Sequence, residues 1–321
     1  MSRALYGRGG YYRAARGPGH DFRTSSTVAP ALLARALLGL FAHVQDALGS
    51  RAADLVEIGA GGGHLLGALA DLAPPQLRLC GVEVAPRPPG LPARVRWQAS
   101  PPPEITGVVV AFEWLDVVPL DIVVDGRLLP AATGMVEGPP PSAADTSWLD
   151  RWWPGWTQGW AEVGSARDHA WAAAVRSLSA GLAVAVDYGH TREARPGLPT
   201  LTGYRRGRPV PPVPDGTRDL TAHVATDSVA VPGLPTALLR QADALPALTA
   251  LPALTALPAL TALPASTAPP APTAADGAAP KSLQALRDAS LRARLLDPQG
   301  LGSHLWLVQA VGMGMPSALI G

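Results

Sequence analysis

Residues 54–65 read DLVEIGAGGGHL. An apolar run ends at Glu57, glycines stand at 59, 61, 62 and 63, and apolar residues return at helical spacing at Leu65, Leu66 and Leu69. The pattern predicts a strand, a tight glycine turn and a helix start. Without side chains in the turn, backbone N–H groups and the helix N-terminus can approach a bound cofactor closely. The plain alternative is an ordinary tight βα turn.

The flanking sequence repeats this alternation. Ala31–Leu48 carries apolar residues at helical spacing, with Pro30 near its first turn and Gly49 at its end. Strand candidates follow at Asp54–Ile58, Arg78–Val84, Val95–Ala99, Val108–Trp114, Ile122–Val124, Leu182–Asp187 and His304–Val311. Near-continuous apolar strands alternating with helices predict an α/β fold, a parallel sheet covered on both faces. Trp148–Trp160 reads as a tryptophan-dense loop, Ala166–Leu178 as a helix ended by Gly181, and Ser282–Leu295 as a last helix. Residues 1–27 read as a Gly-, Arg- and Tyr-rich arm.

Composition narrows the functional classes. The chain of 321 residues is 47% hydrophobic, enough for one large core or two small ones. Its net charge of +1 gives no electrostatic case for nucleic acid or an acidic membrane surface. The single cysteine, Cys80, excludes an intrachain disulfide and reads as a buried, inert thiol. No apolar leader opens the sequence, and no run reads as long and apolar enough to cross a bilayer. The expectation is a soluble cytoplasmic protein. No His/Asp/Glu cluster has metal-ligand spacing, so no metal is expected.

The acidic residues around the glycines refine the turn. A dinucleotide site of the GxGxxG kind is one alternative. Here Glu57 precedes the glycines, and Glu83 ends the next strand candidate (LRLCGVEVAP). Both strand ends open onto the cofactor crevice of a doubly wound sheet. A carboxylate at Glu83 can accept bonds from two ribose hydroxyls. No phosphate-binding Lys or Ser follows the glycines, which argues against a P-loop.

Taken together, VEIGAGGGHL, GVEVAP, AFEWLDVVPLDIV, WAEVGSARDHAW, AVDYGH, LTGYRRGRPVPPVPDG, DLTAHV and LLDPQGLGSHLWLV resemble the MidA-like branch of the class I S-adenosylmethionine-dependent methyltransferases. Its mitochondrial members are complex I assembly-factor protein arginine methyltransferases. The resemblance spans nearly the whole chain outside residues 244–280. It implies a Rossmann-like core with a mostly parallel doubly wound sheet, S-adenosyl-L-methionine as cofactor, and an arginine side chain of a partner protein as substrate. A respiratory-complex-like subunit is one candidate for that partner.

Residue by residue, the resemblance assigns Gly59, Gly61 and Gly63 to the cofactor's methionine moiety, Glu57 to its amino group and Glu83 to its ribose. Asp21, Phe22 and Thr24 match a D-F-x-T element and imply an arm closing over the cofactor. Glu113 and Asp116 stand beside the expected methyl-donor pocket, where two carboxylates suit a planar guanidinium; their alternative is a structural or capping role. His190 reads as a general base or substrate hydrogen-bonder, or else as an exposed loop histidine. Asp219, Thr221 and His223 read as helix capping with His223 packing near the substrate. Family members usually carry Asn-Glu where this chain has Phe112-Glu113, and often Pro-Glu where it has Ser25-Ser26-Thr27-Val28.

Residues 244–267 repeat the hexad ALPALT, decaying toward Pro280. Proline every sixth residue forbids a regular helix, so a disordered or polyproline-like insertion is expected, the alternative being a binding stalk for a partner. The domain expectation is an arm and helix at 1–50, a core at 51–243, the insertion at 244–280, and a helix and strand at 281–321 that complete the core. A second reading, prompted by Phe112 and the repeat, is a catalytically silent relative serving as an assembly or binding module. A nicotinamide-dependent oxidoreductase is a third.

Overall fold

The computed structural model describes residues 1–13, 24–129, 138–249 and 283–320. Its centre is a seven-stranded sheet: β1 (Asp54–Ile58), β2 (Arg78–Val82), β3 (Val95–Gln98), β4 (Ile105–Phe112), β5 (Leu178–Asp187), β6 (Thr236–Arg240) and β7 (Leu305–Val311). The strands lie in the order β6-β7-β5-β4-β1-β2-β3. From β5 to β3 every pairing is parallel. Strand β7 runs antiparallel to both β5 and β6. The sheet is therefore mixed, with a parallel centre, as expected of a mostly parallel doubly wound α/β fold.

Alternation along β1 explains the two layers. Leu55 faces a core shared with Leu33 and Leu37 of α1 (Pro30–Leu48), Leu65 and Leu69 of α2 (His64–Leu72), and Trp306. Val56 and Ile58 face a second core with Trp171 of α3 (Ser165–Arg176), Cys80 and Leu307. Helix α1 is long and apolar enough, by length and composition, to cross a membrane, which the sequence reading did not expect. Its buried Leu33, Leu37, Phe41 and Val44 mark it as a core helix packed on the sheet.

Other differences have local causes. The tryptophan-dense segment is a helix, Ala143–Trp152, capped by Ser142 on the Asp145 N–H, followed by a strand, Trp160–Val163. Its tryptophans fill a small satellite core with Val123 and Leu149. Asp219–Thr221 is a strand rather than a capped helix start, paired with Thr202–Arg205. Ile122–Val124 lies in Asp121–Val124, which joins a separate three-stranded sheet and not the central one. Among its described residues the arm contains the helical turns Ser2–Tyr6, Tyr11–Arg13 and Ser25–Val28.

The first ALPALT hexad is also ordered. It ends the helix Gln241–Thr249, which contains Pro246 and buries Ala244, Leu245 and Leu248 against the core. Pro246 stands near the start of the hexad, and the apolar spacing of Ala244, Leu245 and Leu248 outweighs it. The remaining hexads, residues 250–280, lie outside the described residues.

Candidate functional site

The carboxyl ends of β1, β2, β4 and β5 converge on one edge of the sheet. At the end of β1 the turn glycines take left-handed backbone, with φ +69° at Gly59, +50° at Gly61 and +70° at Gly63. Side chains disfavour that region, so the sequence puts glycine there. A Cβ on Gly59 would come within 2.6 Å of the Trp114 indole. The glycine turn and the loop after β4 are thus in direct contact.

Glu57 is 3% exposed, and its Oε2 has no hydrogen-bond partner among the described residues. Burial, and then the Glu83 charge, push its carboxyl well above the usual carboxylate range. A buried carboxylate oxygen without a donor is costly, so an amino group arriving here would be held strongly. Glu83 is tied to the turn: its Oε2 accepts from Gly61 N at 2.9 Å and its Oε1 from Ala85 N at 3.0 Å. Each oxygen keeps further lone-pair capacity for a hydroxyl. The open space beside Gly61, the unpartnered Glu57 and the paired oxygens of Glu83 fit a nucleoside cofactor with an amino-acid tail.

Glu113 follows β4 with φ +47°, a strained conformation for a residue with a side chain. Its Oε1 accepts from Ser25 N at 2.6 Å. Its Oε2 is buried without a partner. Burial pushes the carboxyl up to about 8, against the downward pull of the Ser25 N–H. The Thr24 hydroxyl is engaged locally, with Ser26 and Thr27. It caps the Ser25–Val28 turn reciprocally with Thr27, which aims the Ser25 N–H at Glu113. Asp21 and Phe22 lie outside the described residues. Phe112 turns into the core, edge-on to Trp306 at 5.7 Å.

Asp116 is held from three sides. The Tyr188 hydroxyl donates to its Oδ2. Asp187, at the end of β5, accepts from the N–H groups of Leu115 and Asp116 at 3.0 and 3.2 Å. Arg167, 1% exposed, donates to the carbonyls of Asp116, Val118, Ala222 and His223 at 2.7–3.2 Å. Asp116 Oδ1 remains without a partner. Burial raises its carboxyl to about 6, with Tyr188 and Arg167 pulling the other way. The His223 and His304 rings flank Tyr188 at 5.2 and 5.5 Å.

The structure therefore brings Glu113 and Asp116 together with Asp187, Tyr188, Arg167 and His304. His190 stands apart. Its Nδ1 meets Arg195 NH1 at 2.7 Å, its ring packs on Trp153, and Arg195 is paired with Asp227. Burial, then the Arg195 charge, lower it to about 3. A guanidinium only donates, so Nδ1 is the acceptor and the proton sits on Nε2. With its Nδ1 lone pair engaged, His190 is not placed as a general base, and at 7% exposure it is not an exposed loop histidine; its Nε2 is buried without a partner among the described residues. Arg167 and His304 went unassigned in the sequence. Arg167 lies in a matched segment, but nothing there announces a guanidinium that bonds only carbonyls. His304 was visible only as the first residue of the strand candidate His304–Val311, and the strand itself begins at Leu305.

Two solved structures from Burkholderia thailandensis share the fold. One is described as a superfamily member and "likely methyl transferase" bound to S-adenosyl-homocysteine. It has a TM-score of 0.76 at 23% identity, over 100% of this chain and 89% of that one. The other is a native structure of an uncharacterized protein of the same superfamily, with a TM-score of 0.75 at 23% identity, over 99% and 88%. No curated protein matches the chain in sequence. Residues 73–233, half of the chain, match the family described as "Putative S-adenosyl-L-methionine-dependent methyltransferase". The chain belongs to that family, an α/β methyltransferase whose cofactor is S-adenosyl-L-methionine.

Proposed function

We propose that this protein transfers the methyl group of S-adenosyl-L-methionine to an arginine side chain of a partner protein, as a MidA-like enzyme. The observation that carries the reading is the pair of unpartnered, buried carboxylate oxygens, Glu113 Oε2 and Asp116 Oδ1, on one loop beside the glycine turn. A planar guanidinium supplies donors in a fixed fork that can meet two such oxygens. Its charge also offsets the cost of ionising both acids. The bound cofactor supplies an electrophilic methyl on a sulfonium. The chain's own part is to fix the acceptor in line with that methyl and to exclude water.

The test is tritiated-methyl transfer into arginine-containing peptides, lysine-containing peptides and lysate proteins. Label recovered as methylarginine is the expected result. Label on lysine, or only on small molecules, would overturn the substrate. No label at all, with S-adenosylhomocysteine bound normally in calorimetry, would favour the silent binding module.

For the cofactor side, Glu57→Gln is expected to weaken S-adenosylhomocysteine binding by about tenfold or more, the worth of one charge-assisted hydrogen bond. Melting of the free protein should hold or rise, because the unpartnered acid is gone. An unchanged dissociation constant in calorimetry would remove Glu57 from the amino-group site.

A further inference from the structure

Two buried groups at the site face each other without a bond. His304 Nδ1 stands 3.7 Å from Glu113 Oε1, with side chains 7% and 1% exposed. Neither His304 Nδ1 nor Glu113 Oε2 has a hydrogen-bond partner among the described residues. Buried polar atoms are nearly always bonded, so each exception needs a reason. The gap exceeds a hydrogen bond by less than about 1 Å. The backbone of His304 is anchored at both ends, by its N–H on Leu301 O at 3.2 Å and its carbonyl on Gln241 N at 2.8 Å. The imidazole is thus held at the carboxylate by the start of β7.

We propose that Glu113 and His304 form a proton relay, in which Glu113 takes the proton that a methylated nitrogen loses and passes it to His304. The inference rests on the reading above only in needing an acceptor nitrogen that carries a proton. The balance is closed. The nitrogen lone pair forms the new N–C bond, and the electrons of the broken C–S bond stay on sulfur, which becomes a neutral thioether. The nitrogen's proton goes to Glu113 Oε2. That restores the resting carboxylic acid; when the next acceptor cation docks, the acid gives this proton to His304 Nδ1 and the imidazolium releases it to solvent, which leaves Glu113 ionised before the next transfer.

The surroundings set the resting state. Burial, and then the Asp116 charge after the Ser25 bond, leave the Glu113 carboxyl at about 8, while burial and the neighbouring His223 lower His304 to about 4. Asp187 also acts electrostatically on Glu113, and the Tyr188 ring faces His304. At neutral pH the resting pair therefore holds one proton, on Glu113. A cation docking against Oε2 favours the carboxylate and drives that proton toward His304. The pair titrates as a unit, so its steps belong to both residues. His304 acts through Glu113 and is a positioning and proton-holding residue.

The protein has seven histidines, few enough to resolve by NMR with ¹⁵N-histidine, the His304 signal being assigned by its loss in His304→Gln. In the wild type the His304 nitrogens should report a step near pH 8, absent from Glu113→Gln. Ethylguanidinium added at pH 7 should shift His304 toward imidazolium in the wild type and not in Glu113→Gln. Identical His304 titrations in the two proteins, with or without ethylguanidinium, would overturn the relay whether or not any methyl transfer is found. In turnover with whichever nitrogen acceptor is labelled, His304→Gln should lower kcat by about a hundredfold with little change in KM. Added imidazole should restore part of the rate to His304→Ala. If arginine peptides are not methylated but the coupled titration is present, the substrate reading fails and the relay stands.

Discussion

Arg167→Met is expected to lower the unfolding free energy by about 3–5 kcal/mol, the range for leaving buried polar partners without their cation. In melting temperature this is roughly 10 °C for a chain of this size. The guanidinium is buried and spends its N–H groups on four carbonyls, those of Asp116, Val118, Ala222 and His223. Methionine can fill the space but satisfies none of them. The segments pinned together are the loop after β4 and the strand edge at Asp219–Val224, so the loss is local to the acceptor side of the site. Arg167→Lys should recover only part, because an ammonium lacks the planar fork. A urea midpoint for Arg167→Met within error of the wild type would show that the network contributes nothing net.

Asp116→Asn is expected to reduce kcat by about two to three orders of magnitude, the usual cost of one electrostatic contact to the reacting group. Affinity for S-adenosylhomocysteine should stay within about twofold, because the hydrogen bonds of Asp116 run to Tyr188, Asp187 and Arg167 and not to the glycine turn. The acid stands at about 6 when buried beside Tyr188 and Arg167. Its reactive form is the carboxylate, so kcat/KM should rise with pH through that region in the wild type. In Asp116→Asn this limb should vanish. A retained limb near pH 6 in the variant would assign it elsewhere, with the coupled Asp187 as the first place to look.

The sequence made the glycine turn and the strands around it legible because they are written in local pattern. A strand, a left-handed glycine turn and a helix are contiguous, and β1 falls on the expected residues, Asp54–Ile58. Glu57 and Glu83 follow from strand ends that must share one edge. The surroundings of Glu113 and Asp116 are assembled from distant segments: Ser25 meets Glu113 across 88 positions, and Tyr188 meets Asp116 across 72. No periodicity encodes such pairings. His190 misled because it sits two residues past Tyr188, and a histidine at a strand end resembles a base until its partner, Arg195, is seen. The edge strand β6 was missed because TALLR alternates half-buried and exposed residues, a weak apolar signal.

The placement of β7 has a consequence for how the molecule comes into being. This strand slots between β5 and β6 and carries Trp306 into the core and His304 to Glu113. Everything else in the sheet is synthesised earlier, β6 by some sixty residues of chain. Until β7 docks, the place between β5 and β6 stays open, so the sheet cannot close in chain order. The long stretch between α-helix Gln241–Thr249 and β7 adds little to the cost of that late closure, since loop entropy grows only with the logarithm of length. The contact between His304 and Glu113 therefore forms only once β7 is in place.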